Sequence, residues 1–139
     1  MKITQEADYA LRVVLYLSNL GYGKKVEAKV ISDAEKIPLR FLLKLLRKLI
    51  KADIIKSYRG KSGGYSLDKF PESITLKDVV EAIDGPICIN RCLKDPSLCN
   101  ANKQGKCMVH NALCKIQKVI EEEFEKVTFE DIITENKVL

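Results

Sequence analysis

The sequence predicts a mainly α-helical chain with a small β-hairpin, that is, a winged helix-turn-helix followed by a long helix suited to dimerisation. Three observations predict it. Apolar residues recur at three- and four-residue intervals near both ends of the chain, a short helix leads tightly into a strongly basic one, and a glycine-rich hairpin follows that basic helix directly. At 139 residues, with 46% apolar and 31% charged side chains, the chain has room for one modest core and the composition of a globular protein. No apolar run approaches the roughly 18 residues that cross a bilayer, so no membrane partner is expected. The N-terminus lacks a basic, apolar and small-residue leader pattern, and a cytoplasmic location is expected.

The first helix runs from Thr4, a plausible N-cap, to Leu20, with Ala7, Ala10, Leu11, Val14 and Leu17 at helical spacing. A second set, Tyr9, Val13, Tyr16 and Leu20, widens the stripe, so this helix is expected to be buried on two sides and to pack between parts of the molecule. After Gly21-Tyr22-Gly23 a short amphipathic stretch spans Glu27 to Glu35. Pro38 then falls where a first helical turn tolerates it, because its missing N–H has no partner there. From Leu39 to about Ala52, Leu42, Leu45, Leu46 and Leu49 make one face and Arg40, Lys44, Arg47, Lys48 and Lys51 the other. Ile54 to Arg59 reads as a strand, Gly60 to Gly64 as a turn and Tyr65 to Leu67 as the returning strand. This wing presents Arg59 and Lys61 at its tip. It is no phosphate loop of the nucleotide-binding kind, because it runs strand to strand instead of opening a helix, and Gly60-Lys61-Ser62 lacks the glycine five residues earlier that such a loop needs.

Thr75 to Asp78 resembles a capping box, and the helix it starts ends near Asp84-Gly85-Pro86. Beyond the cysteine region, Leu113, Ile116, Ile120, Phe124 and Val127 form a seam on a long helix, with Glu121, Glu122 and Glu123 outward, as in helices that make dimers. Thr128 to Asp131 starts a last short helix before a frayed tail.

Charge divides the chain at Phe70. Residues 1–70 carry 15 Lys/Arg against 7 Asp/Glu, a net of +8, and residues 71–139 carry 9 against 12, a net of −3. We read residues 1–70 as a winged helix-turn-helix DNA-binding domain, its first helix also packing on the rest, and residues 71–139 as a cysteine-rich loop with a dimerisation helix.

All five cysteines, Cys88, Cys92, Cys99, Cys107 and Cys114, lie together, and His110, the single histidine, follows Cys107 by three residues. The polar stretches between them, with Pro96 and Gly105, place Cys92 and Cys99 in a loop rather than a packed helix. An odd number of cysteines and the absence of any sign of an oxidising compartment argue against a disulfide framework. Structural zinc on Cys92, Cys99, Cys107 and His110 has suitable ligand types but lacks the close Cys-x-x-Cys knuckle. An iron-sulfur cluster held by thiolates and completed by a non-cysteine ligand tolerates the wider spacing, and it is the favoured reading. Reactive thiols are a further alternative.

These residues carry a family resemblance. Ile3-Thr4 with Asp8-Tyr9-Ala10, the segment Ile37 to Leu42, the wing from Ser57 to Tyr65, the helix from Ile74 to Val80 and the cysteine triplet resemble the IscR-, NsrR- and CymR-like (Rrf-type) winged-helix regulators, over essentially the whole chain. The resemblance implies a homodimer with two winged heads binding a dyad-symmetric promoter site in double-stranded DNA. By position it makes Cys92, Cys99 and Cys107 the cluster thiolates. His110 matches the IscR-like histidine, which favours 2Fe-2S, and Asp8, contributed by the other subunit, matches the NsrR-like carboxylate, which favours 4Fe-4S. The cysteine spacings are longer than in either branch, Cys88 and Cys114 are additional, and Leu43 stands where a recognition-helix glutamate is common. The operator therefore cannot be carried over from a relative.

For DNA, Arg40 and Lys44 are assigned to the groove and Arg59 with Lys61 to the wing, with Lys2, Arg47 and Ser57 as phosphate contacts. The rival reading is a protein-interaction module that docks a metabolic enzyme or a cluster-assembly factor. An enzyme is not expected, because no nucleophile-base-orienter pattern is visible and Trp is absent.

Overall fold

The computed structural model describes residues 2–103 and 105–138. Its elements are α1 (Gln5–Leu20), α2 (Ala28–Glu35), α3 (Leu39–Lys51), β1 (Ile55–Tyr58), β2 (Gly64–Leu67), α4 (Leu76–Asp84), α5 (Arg91–Lys94), α6 (Met108–Lys126) and α7 (Phe129–Val138), with single 3-10 turns at Pro71–Ser73 and Pro96–Leu98. Thr4 caps α1 as expected, its hydroxyl accepting from the Ala7 N–H at 3.1 Å. Both apolar stripes of α1 are used. Ala7, Ala10, Val13, Val14 and Leu17 are buried, and Tyr9 and Tyr16 pack against them. α1 contacts α2, α3, α4, α7 and β2, so it is the axis on which the winged part and the rest of the chain meet.

The tight link between α2 and α3 turns on Lys36, which is left-handed at φ 54°. Ser32 secures it, its hydroxyl donating to the Ile37 carbonyl at 2.6 Å while the Ile37 N–H donates back to the Ser32 carbonyl at 3.1 Å. Pro38 stands at the N-cap of α3 instead of inside its first turn, one position earlier than expected. Leu42, Leu45, Leu46 and Leu49 are fully buried, each burial contributing about 1.5–3 kcal/mol, and this fixes which side of α3 stays outside.

β1 and β2 pair antiparallel, Ile55 opposite Leu67 and Tyr58 opposite Gly64. An edge that the sequence did not announce is added by Val26, whose N–H and carbonyl bond Tyr65 at 3.0 and 2.8 Å. Gly64 permits that approach: its φ is +147°, and a Cβ there would lie 2.7 Å from the Val26 carbonyl oxygen.

α4 and α7 begin as a matched pair. Thr75 and Asp78 form the expected capping box, and Thr128 with Asp131 forms a second one. The two starts are joined by Leu76 N–H to Val127 carbonyl and Phe129 N–H to Ile74 carbonyl, both at 3.0 Å. α7 continues to Val138, so of the expected frayed tail only Leu139 is left, and it lies outside the described residues. α6 leans on α4 with Leu113, Ile120 and Phe124 half-buried, while Val109, Ile116 and Val119 are more than half exposed. Glu122 and Glu123 face outward as expected, but Glu121 is half-buried and accepts from Gln117 at 3.3 Å.

Candidate metal centre and nucleic-acid interface

With its leucines buried, α3 presents Arg40, Lys44, Arg47 and Lys51 as one exposed stripe, because steps of four, three and four residues return to the same side of a helix. The Arg40 guanidinium rests 4.9 Å from the centre of the exposed Phe41 ring. Lys48 is turned away from the stripe. Its Nζ lies 3.0 Å from Glu6 Oε1, an ion pair without hydrogen-bond alignment, and 3.5 Å from the Ile83 carbonyl it donates to. Leu43 is half-buried against the core, so this position packs instead of reaching outward.

Arg59 and Lys61 stand exposed at the wing tip, and Ser57 is exposed on β1 opposite Tyr65. Lys2 lies elsewhere, lining a cavity with Asp84, Cys88 and Lys94 at the entry to the cysteine segment. Sequence reasoning missed Lys25 and Lys56, whose Nζ atoms lie 4.0 and 5.5 Å from the centre of the Tyr58 ring. Lys25 reaches that ring because Val26 adds an edge to the hairpin, and a one-residue bridge leaves no alternation to read in the sequence.

The cysteine segment is more ordered than a plain loop, and this corrects the sequence reading for Cys92, which sits within the short, unburied helical turn α5, whereas Cys99 lies outside any helix, just after the 3-10 turn at Pro96–Leu98, as expected. Four-residue helices have no periodicity to detect; they are set by local bonds such as Asp95 accepting from the Ser97 N–H at 3.0 Å. Cys92, Cys99, Cys107 and His110 nonetheless line one cavity of about 250 Å³, together with Pro96, Lys103 and Gly105. Among the described residues no three His, Cys, Asp or Glu side chains converge closely enough to hold a single metal ion.

Each of the three sulfurs has a polar partner on its own chain. Cys107 is the N-cap of α6, and its Sγ accepts from the His110 N–H at 3.4 Å. The Cys92 Sγ lies 3.4 Å from His110 Nδ1. Backbone N–H groups of Lys103 and Ala101 hold the Cys99 thiol below its ordinary pKa. At Cys99 these N–H groups favour the thiolate, the form that ligates metals. All five cysteines are free, and Cys88 donates to the Asn90 carbonyl at 2.8 Å. Asp8 lies outside the cavity lining, exposed on α1 with its Oδ2 3.9 Å from Arg12 Nε.

Among the described residues, no helix is long and apolar enough to cross a membrane. A family model described as Rrf2, iron-dependent transcriptional regulator, matches residues 3–135. The chain is 32% identical over 133 residues to a protein of Aquifex aeolicus described as an HTH-type transcriptional regulator, covering 96% of this chain and 92% of that one. It is 34% identical over 145 residues to an Rrf2-like HTH-type regulator of Rhodobacter capsulatus, covering 94% and 91%. Among solved structures it is similar to CymR, the global cysteine regulator of B. subtilis, with a TM-score of 0.75 and 26% identity over 96% of this chain and 97% of that one. IscR of T. potens shares the fold, with a TM-score of 0.77 at 22% identity over 98% and 88%. The family and the relatives are described as regulators, which agrees with the expectation that the chain is not an enzyme.

Proposed function

The chain belongs to the Rrf2 family of transcriptional regulators, and from that premise we propose that it is a cytoplasmic homodimer that binds promoter DNA and reads iron-sulfur, redox or nitrosative status through a cluster held by Cys92, Cys99, Cys107 and His110. The observation that carries this reading is the shared cavity: four residues drawn from α5, the following turn and the start of α6 face one space, and the three sulfurs are met by nitrogen groups of the chain. A cluster bound there supplies a thiolate-ligated centre whose state depends on iron supply, oxygen or nitric oxide.

The chain's own residues give that centre its setting. The backbone at 101–103 and the first turn of α6 present N–H groups to Cys99 and Cys107. His110 stands beside Cys92 and serves as the fourth ligand in a 2Fe-2S arrangement; Asp8 of the partner subunit is the alternative, in a 4Fe-4S one. A cavity wide enough to separate the donors suits a multinuclear group better than one zinc ion. Residues 1–70 act as the DNA head, with Arg40 and Lys44 toward the groove, Arg59 and Lys61 at the wing, and Arg47, Ser57 and Lys2 toward phosphates. Residues 71–139 act as the sensing and dimerising part.

Purification without oxygen, with a visible spectrum and iron, acid-labile sulfide and zinc content, tests the sensing half. Brown protein with matched iron and sulfide supports it, and the stoichiometry separates two irons from four. Colourless protein that also resists reconstitution overturns it. For the DNA half, Arg59→Ala is expected to weaken binding and to reduce its salt slope by about 0.9 per head, about 1.8 for the dimer; an unchanged slope removes the wing tip from the interface. A second reading draws on the lowered pKa of Cys99: a cluster-free regulator of sulfur metabolism acting through reactive thiols or an enzyme or cluster-assembly partner, with a zinc-stabilised protein as its variant. Zinc content and thiol labelling of the same sample separate these.

A further inference from the structure

We propose that Lys25 and Lys56, gathered around the ring of Tyr58 on the outer face of the wing, form a binding site for backbone phosphates of duplex DNA, distinct from the recognition helix and the wing tip. The proposal rests on the DNA-binding reading above and adds a contact that no groove-reading residue supplies.

Strand alternation fixes the face. Ile55 and Leu67 point into the core at 1% and 0% exposure, so Lys56 and Tyr58, displaced from Ile55 by one and three residues, lie on the opposite side. Lys25 joins them from the chain that Val26 pairs to β2.

The ring is a held platform. Ser66, fully buried, donates its hydroxyl to the Tyr58 oxygen at 3.2 Å. That bond first, and then the two lysines, keep the Tyr58 phenol below its usual pKa. Two ammonium groups around one ring, Lys25 at 4.0 Å from its centre and Lys56 at 5.5 Å near the phenol oxygen, gain from Tyr58 but repel each other. Among the described residues the carboxylate paired with them is Asp68, 3.7 Å from Lys56. A second anion between the lysines relieves the remaining repulsion, and a phosphate is the anion DNA offers.

Position agrees with this chemistry. Lys56 precedes Arg59 by three residues on the chain leading to the tip, roughly 10 Å at strand rise, about three phosphate steps along one DNA strand. A tip in a groove therefore brings Lys56 to the flanking backbone. Lysine suits such a contact, being a compact charge with no directional fork, so the site contributes affinity without reading sequence.

The test measures binding of the full-length protein, with its metal content recorded, to a mixed-sequence duplex about three helical turns long, between about 50 and 200 mM salt. Lys25→Ala with Lys56→Ala removes two charges from each head and is expected to lower the slope of log affinity against log salt by about 3.6 for the dimer, while Lys118→Ala, which removes one charge per subunit from α6, leaves it unchanged. Tyr58→Leu is expected to weaken binding with both lysines present, and Tyr58→Phe, which keeps the ring but loses the bond from Ser66, to bind between Tyr58→Leu and the wild type. Thermal melts confirm that each variant is folded. A double variant with the wild-type slope overturns the site, as does a Lys118→Ala slope that falls by the same amount per charge. A wild-type protein with no salt-dependent DNA binding overturns the DNA reading itself, so the two failures are distinguishable.

Discussion

Cys99 and Gly64 show how single residues set the two functional regions. Cys99 is held by N–H groups of its own turn, the Lys103 and Ala101 backbones first, and its pKa lies below the ordinary thiol value. A lowered pKa leaves more thiolate at a given pH, so Cys99 keeps reacting as pH falls through the range where an ordinary thiol, near about 8.5, stops. In metal-free protein, iodoacetamide at neutral pH is expected to modify Cys99 ahead of Cys88, whose Sγ is engaged as a donor to Asn90. Peptide mapping by mass spectrometry reads the order, and equal rates for both between about pH 6 and 9 contradict it. Gly64 carries the other constraint. A Cβ there meets the Val26 carbonyl, and at Gly63 it meets the Tyr58 carbonyl, so neither position tolerates a side chain. Gly64→Ala is expected to cost about 1–3 kcal/mol in urea unfolding and to weaken DNA binding by distorting the wing. Wild-type stability in that variant refutes the assigned role of the close approach.

At the scale of elements, the most legible features were those whose signals are local. Thr4, Thr75 and Thr128 start helices in the sequence and in the structure, since an N-cap is a bond within one turn and needs nothing from elsewhere in the chain. The wing was legible because alternation and glycines mark a hairpin, but its Val26 edge was not, since one bridged residue has no pattern. The seam of α6 was legible as apolar periodicity, although which neighbour covers it was not. Leu113, Ile120 and Phe124 turn toward this chain's own body, while Val109, Ile116 and Val119 form a separate outward stripe at steps of seven and three. That stripe is the surface expected to meet a second copy. Ile116→Glu with Val119→Glu is therefore expected to turn a dimer into a monomer in sedimentation velocity, with helix content unchanged by circular dichroism. A dimer of wild-type affinity places the interface on another face.

Over the whole molecule, the charge of +8 in residues 1–70 against −3 in residues 71–139 suits the proposed DNA head in front of a sensing and dimerising part. That asymmetry was readable by counting, and the cavity shared by Cys92, Cys99, Cys107 and His110 followed from their clustering. What counting did not give was the connection between the two parts. Glu6 on α1 meets Lys48 on the back of α3, and the Thr4 hydroxyl, at the other end of the same turn, donates to Asp84 at 2.7 Å, just ahead of the cysteine segment. These residues are about 40 and 80 positions apart, and no local pattern brings them together. α1 thereby ties the winged head to the rest of its own chain, and in the proposed homodimer, which brings two such heads to the DNA, that has a measurable consequence. Each head neutralises its own set of phosphates, so the monomeric Ile116→Glu/Val119→Glu variant is expected to bind mixed-sequence DNA with about half the wild-type salt slope. It is also expected to lose about 10²- to 10⁴-fold in affinity for a dyad-symmetric site, because the second half-site is no longer bound within the same complex. A monomer that keeps the full slope would place all the phosphate contacts on one head and rule out the two-headed arrangement.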